Sequence, residues 1–409
     1  MKGNFLNIYI GIPVWGSHHT NAFLSYALPT LMTSENLPFL AKSGDAEFNI
    51  FTDANSAEIL RESPEIRNLK DFMPVIFHYV DTQNRSSKWN VLREINRSMI
   101  EEADQRDAIL YTLVPDCLWS NQCLKNAFHK IVEEEYSVYM VPGYRTIYEK
   151  ITMDLDTYRN ALTPHVIDLN SEHLVRLGHK WMHPEMRTWY WDDPTYESLG
   201  TYISFNVEGQ GTLAFCYNAH PVAVRAEIRG TPLRWIFDQD YIGEACPHYE
   251  KHYIVTDSRE SSLFEMSFEN TIIPRMLDQN GIHSKILAAA WNRESWYVPA
   301  RKHYPKKAIW LVYNLNDKAA WHIVEKRATR IIHLIEFLNS LPDIVLLLIL
   351  PEHLLRRSTR RLRRDRFNHG LWDRLIHKVA SYPSTGIGKI YIKIRNRILY
   401  LLAAYIPRP

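Results

Sequence analysis

Over the first 150 residues, short apolar runs alternate with segments of helical period, and this constrains the chain more than any other feature. An apolar run of four to eight residues bounded by turn residues predicts a strand, whereas apolar residues recurring at three and four mark one face of a helix. Strands are predicted at 7–12, at 48–52 ending on Asp53, at 75–80 ending on Asp81, at 108–114 and at 137–141. Helical period appears from Ala22 to Met32, from Lys88 to Ala103 (Val91, Leu92, Ile95, Met99, Ile100) and again after Cys123. Strands joined through helices pair in parallel, because a parallel connection needs a long crossover. The expected architecture is therefore α/β, a mostly parallel sheet flanked by helices.

Within this alternation, LYTLVPDCLWSN (110–121) places an acidic residue where a buried strand ends. Pro115-Asp116 reads in two ways. Proline presets φ and aspartate bonds its own backbone, which makes a turn. A carboxylate at the carboxyl end of a strand can also hold a metal or a phosphate-bearing ligand over the sheet.

From about Thr163 the texture changes. Aromatic and histidine residues concentrate in KWMHPEMRTWYWDDP (180–194), and 202–254 reads as short strands broken by Gly209, Gly211, Pro221, Gly230 and Pro232. This part is expected to be the acceptor-side half of one catalytic unit, and 259–340 to be mainly helical with loops. Three groups in the middle of the chain carry chemistry: Tyr217 to Pro221 with His220, Trp235 to Tyr241 with Asp238 and Asp240, and Thr256 to Glu260. On a strand Asp238 and Asp240 would share a face and repel unless a cation or a shared proton offsets the charge. They are candidates for a general base or for metal ligation, against a loop-capping pair. His220 is a candidate ligand, against a buried structural histidine. Trp181, Trp189 and Trp191 read as core, with sugar stacking as the alternative. Cys117 reads as a small buried filler.

The segment NRSSKWNVLREINRSMIEEADQRDAILYTLVPDCLWS (84–120) resembles the GT-A-fold glycosyltransferases, in which a basic residue precedes a helix that leads into a strand ending on an acidic motif. Lys88 stands at the helix-leading position, 107–114 is the strand, and Pro115-Asp116-Cys117 occupies the acidic motif. The opening IGIPVWG and Phe51-Thr52-Asp53 are similar to the nucleotide-cradling first two strands. The likeness covers roughly residues 5 to 150. It implies a GT-A-like (Rossmann-like) α/β fold and a nucleotide-sugar donor contacted by Pro13, Trp15, Gly16, Asp53, Lys88 and Asp116. Asp238 and Asp240 would then act on the acceptor side. The family motif has two carboxylates two residues apart; here Leu118 stands where the second would fall. Mg²⁺ or Mn²⁺ takes one or two carboxylates with phosphate oxygens and water, so a divalent cation on Asp116, with His220 as a further ligand, rests on a degenerate motif.

The four cysteines show neither CxxC spacing nor a secretory framework, so reduced thiols are the expectation. The N-terminus reads as a first strand and not as a signal peptide. Between Pro351 and Pro409 fourteen Lys and Arg stand against three acidic residues, a local +11, which leaves −9 for the rest of a chain of formal net charge +2. In this tail LLRRSTRRLRRDRF (354–367) and KIYIKIRNRILYLLAAYI (389–406) mix basic and large apolar residues. That combination suits an amphipathic segment on an anionic membrane surface, against a solvated charged face. No nucleic-acid module accompanies it, so nucleic acid is not an expected partner.

The sequence thus predicts a donor-binding half at 1–160, an acceptor-side half at 161–340 and a basic amphipathic helical tail at 341–409. The expected activity is transfer of a sugar from a nucleotide-sugar donor to a polysaccharide, lipopolysaccharide or glycolipid acceptor. The expected location is cytoplasmic, peripheral to the inner face of a membrane. A non-catalytic nucleotide-sugar or glycan binder of the same fold, and a nucleotidyltransferase or other α/β enzyme, are the alternatives.

Overall fold

A computed structural model describes residues 6–82, 87–160, 163–196, 202–216, 219–234, 237–271 and 307–340. The strands in chain order are β1 (Asn7–Pro13), β2 (Asp45–Thr52), β3 (Val75–Tyr79), β4 (Ile109–Thr112), β5 (Cys117–Trp119), β6 (Val138–Val141), β7 (Gly143–Ile147), β8 (Arg159–Asn160), β9 (Thr163–Ile167), β10 (Tyr202–Val207), β11 (Gly211–Cys216), β12 (His220–Val224), β13 (His252–Ile254), β14 (Leu263–Ser267) and β15 (Ile309–Val312). Seven of them form the main sheet in the order β13-β6-β12-β4-β1-β2-β3. All run in one direction except β12, which is antiparallel to both neighbours, β4 and β6. The order proceeds from β1 through β2 to β3 on one side and jumps to β4 on the other. Such a reversal leaves a crevice outside the carboxyl ends of the two central strands.

The sequence of β1 explains both faces of the sheet. Ile8, Ile10 and Ile12 join Phe48, Ile50 and Tyr111 in one buried cluster, while Tyr9 faces the other side with Val91, Ile95, Met99 and Ile100. Alternation with period two produces this division. The second face is covered by the helix Lys88–Gln105, capped by the Ser87 side chain on the Asn90 amide. It lies close because of Gly11, where a Cβ would stand 2.7 Å from Met99 Sδ. Each large side chain buried there contributes about 1.5–3 kcal/mol.

A smaller sheet, β5-β14-β7, adjoins the turn that follows β4. β14 is antiparallel to β5 and parallel to β7, so Glu265 is registered against Cys117 on one side and Arg145 on the other. The helix Ser171–Lys180 packs on this sheet through Gly178, where an added Cβ would stand 2.0 Å from the Phe264 ring. β11 pairs antiparallel with β15.

The described residues fall into two compact units. One contains the chain to Arg187 together with the described parts of Asn206–Ile273 and Val298–Asp317; the other contains Thr188–Phe205 and the helix from Lys318. In the second, Trp189 stacks on Tyr202 at 5.4 Å, Trp191 packs on Tyr196 at 5.2 Å, and Arg327 pairs with Asp192 at 2.6 Å. Trp189 and Trp191 are buried, the core role.

Two expectations need correction. In the described part of 259–340 two strands, β14 and β15, which the expectation of helices and loops did not include, precede the helix Lys318–Ser340. β14 is covered on both faces, so Leu263, Phe264 and Met266 are all buried and the period-two signal is lost. Asp238 and Asp240 lie on a π-helical turn, Phe237–Tyr241, and not on a strand. Residues two apart on a helical turn point to different sides, so the pair does not share a face. Among the described residues no helix is long and apolar enough to cross a membrane, and the basic tail lies outside them.

Candidate functional site

The crevice between β1 and β4 is lined on one side by the loop Val14–Gly16. The Val14 amide donates to the Phe51 carbonyl at 2.8 Å, and the chain turns at Gly16 with φ 77° and ψ 149°. The Gly16 amide donates to Asp53 Oδ2 at 3.2 Å and to Ser56 Oγ at 3.0 Å. Asp53 Oδ1 caps the helix Ala54–Glu62 by accepting from the Ser56 amide at 2.9 Å. Asp53 therefore holds the loop after Pro13 through Oδ2 and caps the following helix through Oδ1, and Trp15 packs, half buried, against the core. At Gly16 this backbone conformation is almost restricted to glycine. An added Cβ would meet nothing within 4 Å. We expect Gly16→Ala to lose roughly 1–3 kcal/mol by urea denaturation through backbone strain alone.

Asp116 lies across the crevice, in the turn between β4 and β5. Its carbonyl accepts from the Met266 amide at 2.8 Å, which fixes the turn against β14. That bond brings in Glu265, the second carboxylate, from a part of the sequence 149 residues away. The Asp116 side chain is 15% exposed. Burial first, then the charge of Glu265, push its carboxyl up to about 7, against the pull of its own backbone amide, Arg145 and Lys88. Asp116 Oδ2 lies 3.7 Å from His19 Nε2. Burial, reinforced by His18 and Lys88, lowers the His19 pKa below its ordinary 6.5 even though Glu265 opposes this, so the ring is neutral at neutral pH.

Glu265 is held ready. Its Oε1 accepts from Arg145 Nε at 3.0 Å and from Ser267 Oγ at 3.1 Å. Arg145 also donates to Glu185 Oε2 at 2.7 Å. Burial works against the guanidinium charge, but Glu265 and Glu185 outweigh it. Lys88 begins the long helix, with Nζ 5.2 Å from the centre of the Trp89 ring, and its charge acts on both Asp116 and His19.

Because β12 runs against its neighbours, its first residue, His220, lies at the same rim as the carboxyl ends of the parallel strands. His220 Nε2 bonds the Thr112 carbonyl at 3.0 Å, and Thr112 Oγ1 donates to the Pro221 carbonyl at 2.5 Å. Burial lowers the His220 pKa, while the Thr112 carbonyl, Asp238 and Glu265 act in the opposite sense. Nε2 is thus occupied and only Nδ1 remains for a ligand. Asp238 lies within charge range of His220; Asp240 is half buried on the same turn. Cys117 is buried and its thiol is pushed well above its ordinary range by burial, then by Asp116 and Glu265, so it is an inert filler.

Lys88, Asp116 and, at the rim, His220 thus come into one electrostatic neighbourhood, joined by His19, Arg145 and Glu265, which sequence reasoning missed. The signal for Glu265 was a lone acid inside the apolar run LFEMS; for Arg145, a lone base inside GYRTI. Among the described residues no group of three or more His, Cys, Asp and Glu forms a ready metal cage. Asp116 and Glu265 fit the low count of protein ligands that Mg²⁺ or Mn²⁺ uses when phosphates complete its shell. Burial and repulsion already oppose joint ionisation of the pair, a cost that a cation would relieve.

No family model matches the sequence, and no curated protein matches it. Among solved structures the chain is similar to S. aureus TarS 1-349 (13% identity over 34% of this chain and 36% of that one, TM-score 0.23). It is also similar to S. aureus TarS (12%, 36% and 24%, TM-score 0.23) and to mouse xyloside xylosyltransferase 1 in its apo form (12%, 38% and 57%, TM-score 0.20). The chain covers about a third of TarS 1-349. Likeness at these TM-scores does not bear on function.

Proposed function

We propose that the chain is a glycosyltransferase that moves a sugar from a nucleotide-sugar donor to a glycan or lipid-linked acceptor. One observation supports this above the others: Asp116, at the switch point of the main sheet, lies within charge range of Glu265 in β14, of its partner Arg145 and of Lys88. The resemblance of 84–120 to the acidic-motif segment of GT-A glycosyltransferases points the same way. Transfer of a glycosyl group leaves a nucleoside diphosphate, whose developing negative charge must be stabilised. Lys88 supplies fixed positive charge for it, and the Gly16 turn leaves room for a ligand at the start of the helix Ser17–Ala22. A Mn²⁺ or Mg²⁺ ion on Asp116 and Glu265 would add Lewis-acid stabilisation of the same charge. Arg145 holds the Glu265 carboxylate in place. On the acceptor side Asp238, with Asp240 on the same turn, takes the hydroxyl proton. His220, fixed by Thr112, lies beside it.

In this reading the basic segment 351–409 binds an anionic membrane surface, which places the enzyme at the inner face of the membrane beside a lipid-linked acceptor. Truncation after residue 350 should then release the protein from anionic vesicles in a flotation assay. The activity is tested by incubating purified protein with a panel of nucleotide sugars and Mn²⁺ and following the nucleotide product. Release of nucleoside diphosphate, reduced by roughly 10-fold or more in Lys88→Ala, is expected from the loss of a charge contact to the leaving group. Release of pyrophosphate would identify a nucleotidyltransferase instead, and binding without any release would identify a non-catalytic binder.

A further inference from the structure

A cluster of rings lies beside the charged site and takes no part in the donor chemistry described above. Phe268 follows β14 three residues after Glu265, Tyr148 follows the parallel strand β7 three residues after Arg145, and His18 precedes His19. Parallel pairing of β7 with β14 brings the two strand ends to one place, since Ile147 is registered against Ser267. The His18 ring centre lies 4.2 Å from that of Phe268 and 4.9 Å from that of Tyr148, and Tyr148 lies 5.6 Å from Phe268. Phe268 is 39% exposed, unusual for a ring in a packed cluster, and His18 and Tyr148 are half buried.

The segment that carries Phe268 is fixed. His183 Nε2 bonds the Phe268 carbonyl at 2.9 Å, the Glu269 amide donates to Glu149 Oε2 at 3.2 Å, and Lys150 pairs with Glu269 at 2.6 Å. The platform therefore combines an exposed aromatic face, a rigid backbone and a rim of charged groups able to bond hydroxyls. Its link to the charged site is direct: His19, next in sequence to His18, lies 3.7 Å from Asp116.

We propose that His18, Tyr148 and Phe268 form a platform, beside the charged donor site, that stacks the C–H face of the acceptor's pyranose ring. An aromatic face accepts an apolar sugar face while the polar rim takes its hydroxyls, which suits this composition better than an aliphatic ligand. Burial keeps the His18 ring neutral, against the charge of Glu149, so the platform carries no charge to exclude a neutral sugar. The proposal rests on the glycosyltransferase reading and names the acceptor subsite within it.

The test uses saturation-transfer NMR of the full-length protein with a panel of methyl pyranosides (glucoside, galactoside, mannoside and N-acetylglucosaminide, both anomers). Calorimetry with nucleoside diphosphates is run on the same preparations. At least one glycoside should receive saturation, strongest at its ring C–H protons. The signal should fall at least five-fold in Phe268→Ala and in Tyr148→Ala and persist in Phe268→Tyr, with nucleotide affinity unchanged in all three. If nucleotide binds but glycoside signals are absent, or equal in wild type and Phe268→Ala, the platform is wrong and the donor site stands. If no nucleotide binds to wild type, the parent reading fails.

Discussion

If the proposed transfer takes place, Asp116→Asn should remove turnover by roughly two to three orders of magnitude, the usual cost of deleting one preorganised charged group from a site, and should at the same time make the protein more stable at alkaline pH. The second effect follows from the displaced carboxyl. In the unfolded chain Asp116 titrates near 3.8, and in the folded protein near 7. Between those values the native state holds a proton that the unfolded state lacks, so stability falls as pH rises and levels off above about 7. Below about 3.8 both states are protonated and the difference vanishes. Each pH unit is worth about 1.4 kcal/mol, so the ceiling on the penalty is about 4 kcal/mol at pH 8. Asparagine removes it. Melting curves of wild type and Asp116→Asn should converge near pH 4 and separate by several degrees at pH 8, with the inactive variant higher. A variant that is inactive and also less stable at pH 8 would mean that Asp116 is a structural turn residue. Glu265→Gln should lose activity in the same range, but should gain less at pH 8 than Asp116→Asn, because it relieves Asp116 of a neighbouring charge and at the same time weakens the pair with Arg145.

Gly178→Ala should lower stability by about 2 kcal/mol net and weaken donor binding together, although Gly178 touches no ligand. A Cβ at this position would overlap three atoms of the Phe264 ring, at 2.0, 2.3 and 2.6 Å. Overpacking of this kind costs about 1–3 kcal/mol and sometimes more, and exceeds the gain of up to about 1 kcal/mol from replacing glycine within a helix. Phe264 is 3% exposed and lies next to Glu265, so the ring cannot move without shifting β14. The expected readout is a lower urea midpoint and a weaker nucleotide affinity in the same variant. Adding Phe264→Leu, which removes the clashing ring atoms, should restore part of both. Unchanged stability in Gly178→Ala would show that helix Ser171–Lys180 does not press on β14 as described.

Five strands of the main sheet, β1, β2, β3, β4 and β6, were legible because they are short apolar runs separated by helices of clear period, whereas β12 and β13 come from the segment expected on the acceptor side; of the expected helical face Val91, Ile95, Met99 and Ile100 are buried over β1 and Leu92 is half buried. The position of Asp116 was legible for the same reason: a strand that ends on a turn residue announces its own rim. Its partner was not. Glu265 reaches the site through the pairing of β14 with β5, a contact across more than a hundred residues that no local period encodes. Leu118, where a second carboxylate would fall in the chain, is instead fully buried in β5, and the charge comes from the neighbouring strand. Asp238 and Asp240 misled because alternate acids suggest a strand face, whereas the aromatic pair Phe237 and Tyr241, stacked at 5.4 Å, holds the segment as a helical turn. Asp53 shows the opposite case. Its place after β2 suits a donor contact, and its oxygens serve the Gly16 turn and a helix cap.

In the proposed reading Asp116, Glu265, Lys88 and Arg145 form a site for the diphosphate of a nucleotide sugar. Titration calorimetry with a panel of nucleoside diphosphates, with and without Mn²⁺, tests it most directly. Saturable binding of at least one nucleotide to wild type is expected, at least ten-fold weaker in Lys88→Ala, with the dependence on Mn²⁺ lost in Asp116→Asn. Absence of binding by every nucleotide, or affinity that is the same in wild type, Lys88→Ala and Asp116→Asn, would contradict it.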